Sequence, residues 1–180
     1  ISVLFWLEML VRAGVPGATA KLIADGRYDH CEIERSVRAL LLGLSVSLFA
    51  VCWFLASQVA SLMRIPNGEA LLRIAIIDLP FAAIYASYEG IFYGHRRFGV
   101  IAVAQVLYAM SKVGGILALT SLGFSLEQVL VMNVLSTCVV CGVVTVWYRP
   151  DGFRPMPRIV AEITTIAAPM ALYLFATQIL

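Results

Sequence analysis

Charge is scarce in this sequence. Only 13% of its 180 residues are Asp, Glu, Lys or Arg, and 61% are hydrophobic. A soluble domain averages about 25% charged and about 45–50% apolar residues. The mean hydropathy of +0.91 agrees, so an ordinary water-soluble domain is excluded. The net charge of +2 gives no strong basic field, and nucleic acid is not expected as a partner. Histidine is equally sparse: His30 and His95 both fall in predicted loops. There is no P-loop, no Gly-rich dinucleotide fingerprint and no HExxH. Nothing suggests a Ser-His-Asp site or a hydrolytic pair of carboxylates. No catalytic residue, metal or cofactor is expected, and the connections are too short to house a soluble catalytic domain.

The four cysteines are Cys31, Cys52, Cys138 and Cys141. The last two form CVVC inside an uncharged apolar run. Redox or metal chemistry needs thiolates at a wet, polar site. These side chains are expected to pack within a helix instead.

Long apolar runs, by contrast, are abundant. A membrane helix needs about 20 mostly apolar residues. Runs 39–63, 70–93, 100–122 and 129–148 meet that requirement, which predicts an all-α, polytopic transmembrane helix bundle. Run 159–180 is a fifth span, and 1 to about 24 a sixth. The chain begins and ends within apolar runs, so it is expected to be a fragment cut inside helices. The connections at 64–69, 94–99 and 123–128 are short, and the first contains Pro-Asn-Gly, a turn signal. The stretch 25–38 is rich in both charge signs and predicts a short amphipathic helix leading into the next span. The stretch 149–158, RPDGFRPMPR, looks like an extended connection between helix groups.

Alternating helices put loops 25–38, 94–99 and 149–158 on one side. With Lys21, that side carries Arg27, Arg35, Arg38, Arg96, Arg97, Arg149, Arg154 and Arg158; the other has Arg64 and Arg73. The positive-inside rule makes the first side cytoplasmic.

Polar groups at membrane depth stand out against this background, because an Arg, Lys or Asp at a helix centre costs about 2.5–3.5 kcal/mol to insert. The stretch 74–98 holds Asp78, Tyr85 and Glu89. At about 100° per residue they fall at about 0°, 340° and 20°, on one narrow face. Such a stripe should face other helices or a wet cavity. On the next span, Gln105, Tyr108 and Lys112 share a face. The two spans are expected to form an antiparallel hairpin, with Asp78 and Lys112 both about 12–15 Å below the outer surface. That places them near enough to pair, as a static ion pair or as a charged cavity wall. Glu89, nearer the cytoplasmic end, either belongs to that wall or snorkels to Arg96 and Arg97 at the rim.

Glu8 and Arg12 are spaced i, i+4 and can bridge along the first helix. Gly14, Pro16 and Gly17 follow, so the helix should bend or loosen there. Arg12 beside a broken helix suits an anion such as phosphate; a lipid-interface position explains the pair equally well. Pro80 and Pro169 predict kinks. Gly90-xxx-Gly94, Ala56-xxx-Ala60 and Ser111-xxx-Gly115 permit close helix contact. Asn133 and Gln178 suit helix-to-helix hydrogen bonds, and Glu162 an interfacial position.

Two stretches carry a family resemblance. AGVPGATAKLIADGRYD, 13–29, resembles the end of the second helix of polysaccharide-biosynthesis flippases through Gly14, Pro16, Lys21, Ile23 and Ala24. The stretch 71–119 is similar to their fourth and fifth helices, with Pro80, Gly90, Gly94 and a Gly-x-x-x-Phe turn ending at Phe98. The group lies in the multidrug/oligosaccharidyl-lipid/polysaccharide exporter superfamily, and the likeness runs along the whole chain as helices two to seven. It implies two six-helix lobes around a central cavity. Residues 1–148 would form most of the first lobe, 149–158 the interlobe connection, and 159–180 the first helix of the second lobe. It also implies a multi-pass protein of the cytoplasmic membrane that moves lipid-linked oligosaccharide between leaflets by alternating access. Arg12 and Lys112 would attract the phosphates, with Asp78, Tyr85 and Tyr108 in the cavity and Glu8 and Glu89 as coupling or rim carboxylates. The competing expectations are a cation-coupled multidrug exporter of the same superfamily, with Asp78 as ion site, and a multi-pass glycan polymerase or ligase.

Overall fold

The computed structural model describes residues 14–63, 68–121, 126–149 and 152–179. Every regular element among them is an α-helix: α1 (Val15–Asp25), α2 (His30–Met63), α3 (Gly68–Ile76), α4 (Asp78–Gly94), α5 (Phe98–Ser121), α6 (Leu126–Tyr148) and α7 (Pro157–Ile179). Four helical stretches are long and apolar enough to cross a membrane: His30–Leu62, Gly68–Gly94, Phe98–Leu119 and Glu127–Tyr148. The protein is thus an all-α, polytopic membrane bundle. Its outward residues fit that solvent, with Phe54 at 80% and Leu62 at 84% exposure. In a bilayer such side chains meet lipid tails without loss.

The expected kink in the second of these spans is a break. Pro80 has no N–H to give the carbonyl of Ile76, so the helix cannot run through regularly. The chain turns at Ile77, and α3 ends where α4 begins. The break puts Asp78 in the first turn of α4, where the positive end of the helix dipole favours a carboxylate. At the other end α4 closes on Arg96, whose φ of 56° is left-handed. Arg97 N–H reaches Phe92 O at 2.9 Å and Arg96 N–H reaches Tyr93 O at 3.1 Å. This is the paired cap that usually has glycine at the left-handed position.

The break foreseen near Gly14 also exists. Gly14 has φ 75° and precedes α1, with a proline in the helix's first turn. The charged stretch after α1 differs from the expected separate helix. From His30 onward it is one helix with the following span, since no Gly or Pro intervenes before Gly43.

The helix α4 is the hub, packed against α1, α2, α5 and α6. Its three faces have different neighbours. Leu79, Ala83, Ala86 and Ile91 enter one core with Leu22, Ile33, Val37, Leu41, Ile159 and Ile163. Tyr88 and Phe92 enter a second with Ile101, Ala104, Val140 and Val144. The third face is the polar stripe. Gly90 and Gly94 set the closeness of α1: a methyl on Gly90 would lie 2.9 Å from Pro16 Cα, and one on Gly94 2.7 Å from Ile23 Cβ. The small-xxx-small pattern there is a helix contact, as its spacing predicts.

The hairpin of α4 and α5 is looser than expected. The two helices meet near their shared turn, but α5 packs chiefly on α6, and α4 itself also packs on α6. The last helix, α7, lies against α1 and α2. A methyl on Gly14 would stand 2.5 Å from Ala167 O, so only glycine permits this approach.

Candidate functional site: a polar groove between α4 and α5

Because α5 leans on α6, a cavity of about 240 Å³ remains between α4 and α5. It is lined by Asp78, Ala82, Tyr85 and Glu89 of α4, Gln105 and Tyr108 of α5, and Thr137 and Val140 of α6. Asp78 is 3% exposed and Glu89 7%. They lie eleven residues apart on one helix face, so the groove runs about 16 Å along α4. The structure thus brings Asp78, Tyr85, Glu89 and Tyr108 to one wall-and-floor arrangement.

Two of the expected pairings do not form. Asp78 was expected near Lys112. Instead Asn133 Nδ2 donates to Asp78 Oδ2 at 3.1 Å, from α6. Lys112 Nζ donates to Tyr108 Oη at 3.2 Å and stands 5.3 Å from the centre of that ring. The helix packing explains both: α6, not α5, closes against Asp78, and the groove separates α4 from Lys112. The second correction concerns Glu89. It is buried and lines the groove rather than snorkelling to Arg96 or Arg97. Glu8 and Arg12 lie outside the described residues. The amide of Asn133 does link two helices, as expected of a single amide at membrane depth.

Cys141 is buried, and its Sγ–H donates to Phe81 O at 3.0 Å, tying α6 to α4 behind the groove. Thr137, one turn beyond Asn133, was not foreseen as a lining residue. The i, i+4 spacing of Asn133 and Thr137 was the available signal.

At one end of the bundle a second polar cluster, not foreseen, joins three elements. Glu34 of α2 is 8% exposed. Its Oε1 accepts from Tyr148 Oη of α6 at 2.6 Å and lies 3.0 Å from Nε2 of His95, in the turn after α4. Its Oε2 stands 3.8 Å from Arg38 Nη2. Arg38, 3% exposed, also donates from Nε to Glu34 O at 3.0 Å. The signal was present in the sequence: Glu34, Arg38, Leu41 and Ser45 fall on one helix face, as the Asp78 stripe does. Tyr88 Oη donates to Thr145 at 3.0 Å beside this cluster, and the rings of Phe92 and Tyr148 meet edge-on at 5.2 Å.

Neighbouring contacts tie down α7. Met156 N–H donates to Ser36 Oγ at 3.0 Å. Tyr28 Oη donates to Glu162 Oε2 at 2.7 Å, and Arg27 Nη1 lies 3.8 Å from Glu162 Oε1. The hydrogen bond to Glu162 holds the Tyr28 phenol above its usual pKa, because the carboxylate favours the protonated donor. Among the described residues, 25–38, the turn at His95 and 152–158 thus converge at one end of the bundle, together with the end of α6.

A broken membrane helix bearing two buried carboxyl groups along a groove defines an integral-membrane protein with an internal polar path. Across residues 1–180 the chain matches the model of the polysaccharide biosynthesis protein family. The chain belongs to that family. No curated protein and no solved structure matches it.

Proposed function

We propose that the chain is part of a membrane transporter that moves lipid-linked oligosaccharide or polysaccharide precursors across the cytoplasmic membrane by alternating access. The observation that carries this reading is the groove: a polar path about 16 Å long within a bilayer-spanning bundle of a polysaccharide biosynthesis family member. Ionisable groups buried at membrane depth are costly, and they mark substrate and ion routes in membrane proteins. The reading gives the protein no covalent chemistry.

In this reading 1–148 belongs to one lobe, 149–158 connects it to a second, and α7 begins that second lobe. The contacts of Tyr28 and Arg27 with Glu162, and of Ser36 with Met156, hold α7 at the charge-rich end, which the reading places in the cytoplasm. Opening that end requires those contacts to part. Arg12 and Lys112 supply the positive charge that attracts the diphosphate of the carrier lipid. Tyr108, which holds the Lys112 ammonium, joins that charge to the groove.

The test is deletion of the gene in its own cell. Lipid-linked precursor should accumulate with its glycan facing the cytoplasm, protected from a glycosidase added outside, and surface polysaccharide should fall. Normal surface glycan after deletion, in a strain with no second transporter of the kind, rejects the reading.

A further inference from the structure

We infer that Glu34 is a two-position switch at the charge-rich end of the bundle. In one position its carboxylate clasps α6 and the turn after α4 to α2. In the other it turns onto Arg38 and lets both go. The inference rests on the transporter reading above for the motion that the switch serves.

The structure shows the first position. Glu34 Oε1 accepts a hydrogen bond from Tyr148 Oη at 2.6 Å and lies 3.0 Å from His95 Nε2. One carboxylate oxygen therefore joins three elements that are distant in sequence. The ring of His30, one turn before Glu34, meets the His95 ring edge-on at 5.1 Å.

The second position follows from what Arg38 lacks. Arg38 is 3% exposed. Its Nε donates to Glu34 O, but among the described residues neither Nη1 nor Nη2 has a hydrogen-bond partner. Glu34 Oε2 stands 3.8 Å from Nη2, beyond hydrogen-bond range. A guanidinium fork matches a carboxylate with two parallel bonds, and buried donors left without acceptors are costly. Glu34 and Arg38 are spaced i, i+4 with the acid first, the order that favours an ion pair along a helix. Rotation of the Glu34 side chain alone can therefore fill the fork, with the α2 backbone unchanged. Each position satisfies one set of donors and deserts the other, and such a balance populates both states.

The arrangement of helices turns that rotation into a release. Beyond the clasp, Tyr148 meets the rings of Tyr88 and Phe92 at 6.0 and 5.2 Å. Apolar contacts of this kind hold by area rather than by fixed partners. Ser36 lies about 200° round α2 from Glu34, and there it accepts the Met156 N–H. Ile33 and Val37 pack in one core with Ile159 and Ile163. The Glu34 clasp is thus a seam of its own, separate from the α7 contacts that must also part.

The experiment measures spin-label distances across this seam in the liposome-reconstituted protein. One label sits on Cys31, which is exposed in the first turn of α2. The other sits on Trp147→Cys, at an exposed position beside Tyr148. Cys52, Cys138 and Cys141 are replaced by serine. The parent should give a short distance with a minor longer one. Tyr148→Phe should raise the ratio of long to short about tenfold, the low end for one hydrogen bond to a charged group. Adding Arg38→Met should bring that ratio back down about tenfold, because the second position loses its fork. Arg38→Lys keeps the charge without the fork. It should lower the ratio in the same background, and it provides the reading if Arg38→Met does not fold.

A single distance in the parent and in Tyr148→Phe alike overturns the switch. So does a ratio that stays level or rises when Arg38 is replaced, since Arg38 then only supports the clasp. The precursor assay under deletion separates the two ideas. Two populations that respond as described, without an export defect, remove the transporter reading and leave the switch. An export defect with one distance throughout removes the switch and leaves the transporter.

Discussion

Asn133 on α6 donates a hydrogen bond of 3.1 Å to Asp78, at the point where the membrane helix breaks between α3 and α4. One bond therefore joins the start of the polar groove to the helix that closes it. It also answers how an aspartate is tolerated at this depth: a helix N-terminus, an amide and a neighbouring cavity replace water.

Removing that amide should be costly. Asn133→Ala should lower stability by about 1–3 kcal/mol, the usual loss when a buried acceptor is deprived of its donor. Asn133→Asp should do worse, setting two carboxyls face to face. The exchange Asp78→Asn with Asn133→Asp should recover most of the loss, because it restores an amide–carboxylate pair. Thermal melting of the four proteins in one detergent checks this. A double variant no better than Asn133→Asp alone contradicts it.

The glycine contacts predict a contrast. Gly90→Ala and Gly94→Ala should each destabilise by about 1–3 kcal/mol, since overpacking forces backbone or side-chain shifts. Gly90 faces the backbone of Pro16, which has little room to yield. Gly114→Ala, with open space around it, should be neutral or slightly stabilising, as alanine is the better helix former. The comparison is again thermal melting; equal effects at Gly90 and Gly114 would refute the close α1–α4 contact.

The Glu34 cluster should behave as a unit. Glu34→Ala leaves the Arg38 guanidinium buried without its carboxylate, and breaking a buried pair in this way costs about 3–5 kcal/mol. Combining it with Arg38→Met should recover much of that loss, since the charge is then gone. Tyr148→Phe should cost about 1.5–3 kcal/mol, the range for a hydrogen bond to a charged group. In the Glu34→Gln background it should cost clearly less. Additive losses would show that Tyr148 does not act through Glu34.

Tyr28 should titrate above the ordinary phenol value of 10.0, because its proton is shared with Glu162. A group with a raised folded pKa gives its full contribution below the unfolded value and loses it as pH rises through the folded value. The Tyr28–Glu162 contact should therefore persist through neutral pH and open in strong alkali. The difference in ultraviolet titration between the protein and Tyr28→Phe reports it, and Glu162→Gln should bring the Tyr28 titration down.

The groove's residues were legible for a simple reason. Asp78, Tyr85 and Glu89 share a face by helical period alone, and polar side chains on one face of an apolar helix must find shelter. The partners were not legible. The short turn at His95 suggested that α5 lies along α4, and hence that Lys112 meets Asp78. The Glu34 cluster had the same periodic signature, yet its charges read as loop charges because 25–38 lies before the apolar run.

Hydropathy by itself determined that the chain crosses a membrane, where four of its spans lie and which side chains share a helix face. These depend on local quantities: length, apolar content and the 3.6-residue turn. Tertiary packing alone decided which faces meet. The glycines at 90 and 94 admit α1 to within contact of α4, α6 closes on Asp78, and α5 docks on α6, leaving the groove. A helix fixes the angle between its own side chains but not the helix that will face them, so the Asp78–Asn133 bond exists only in the assembled bundle.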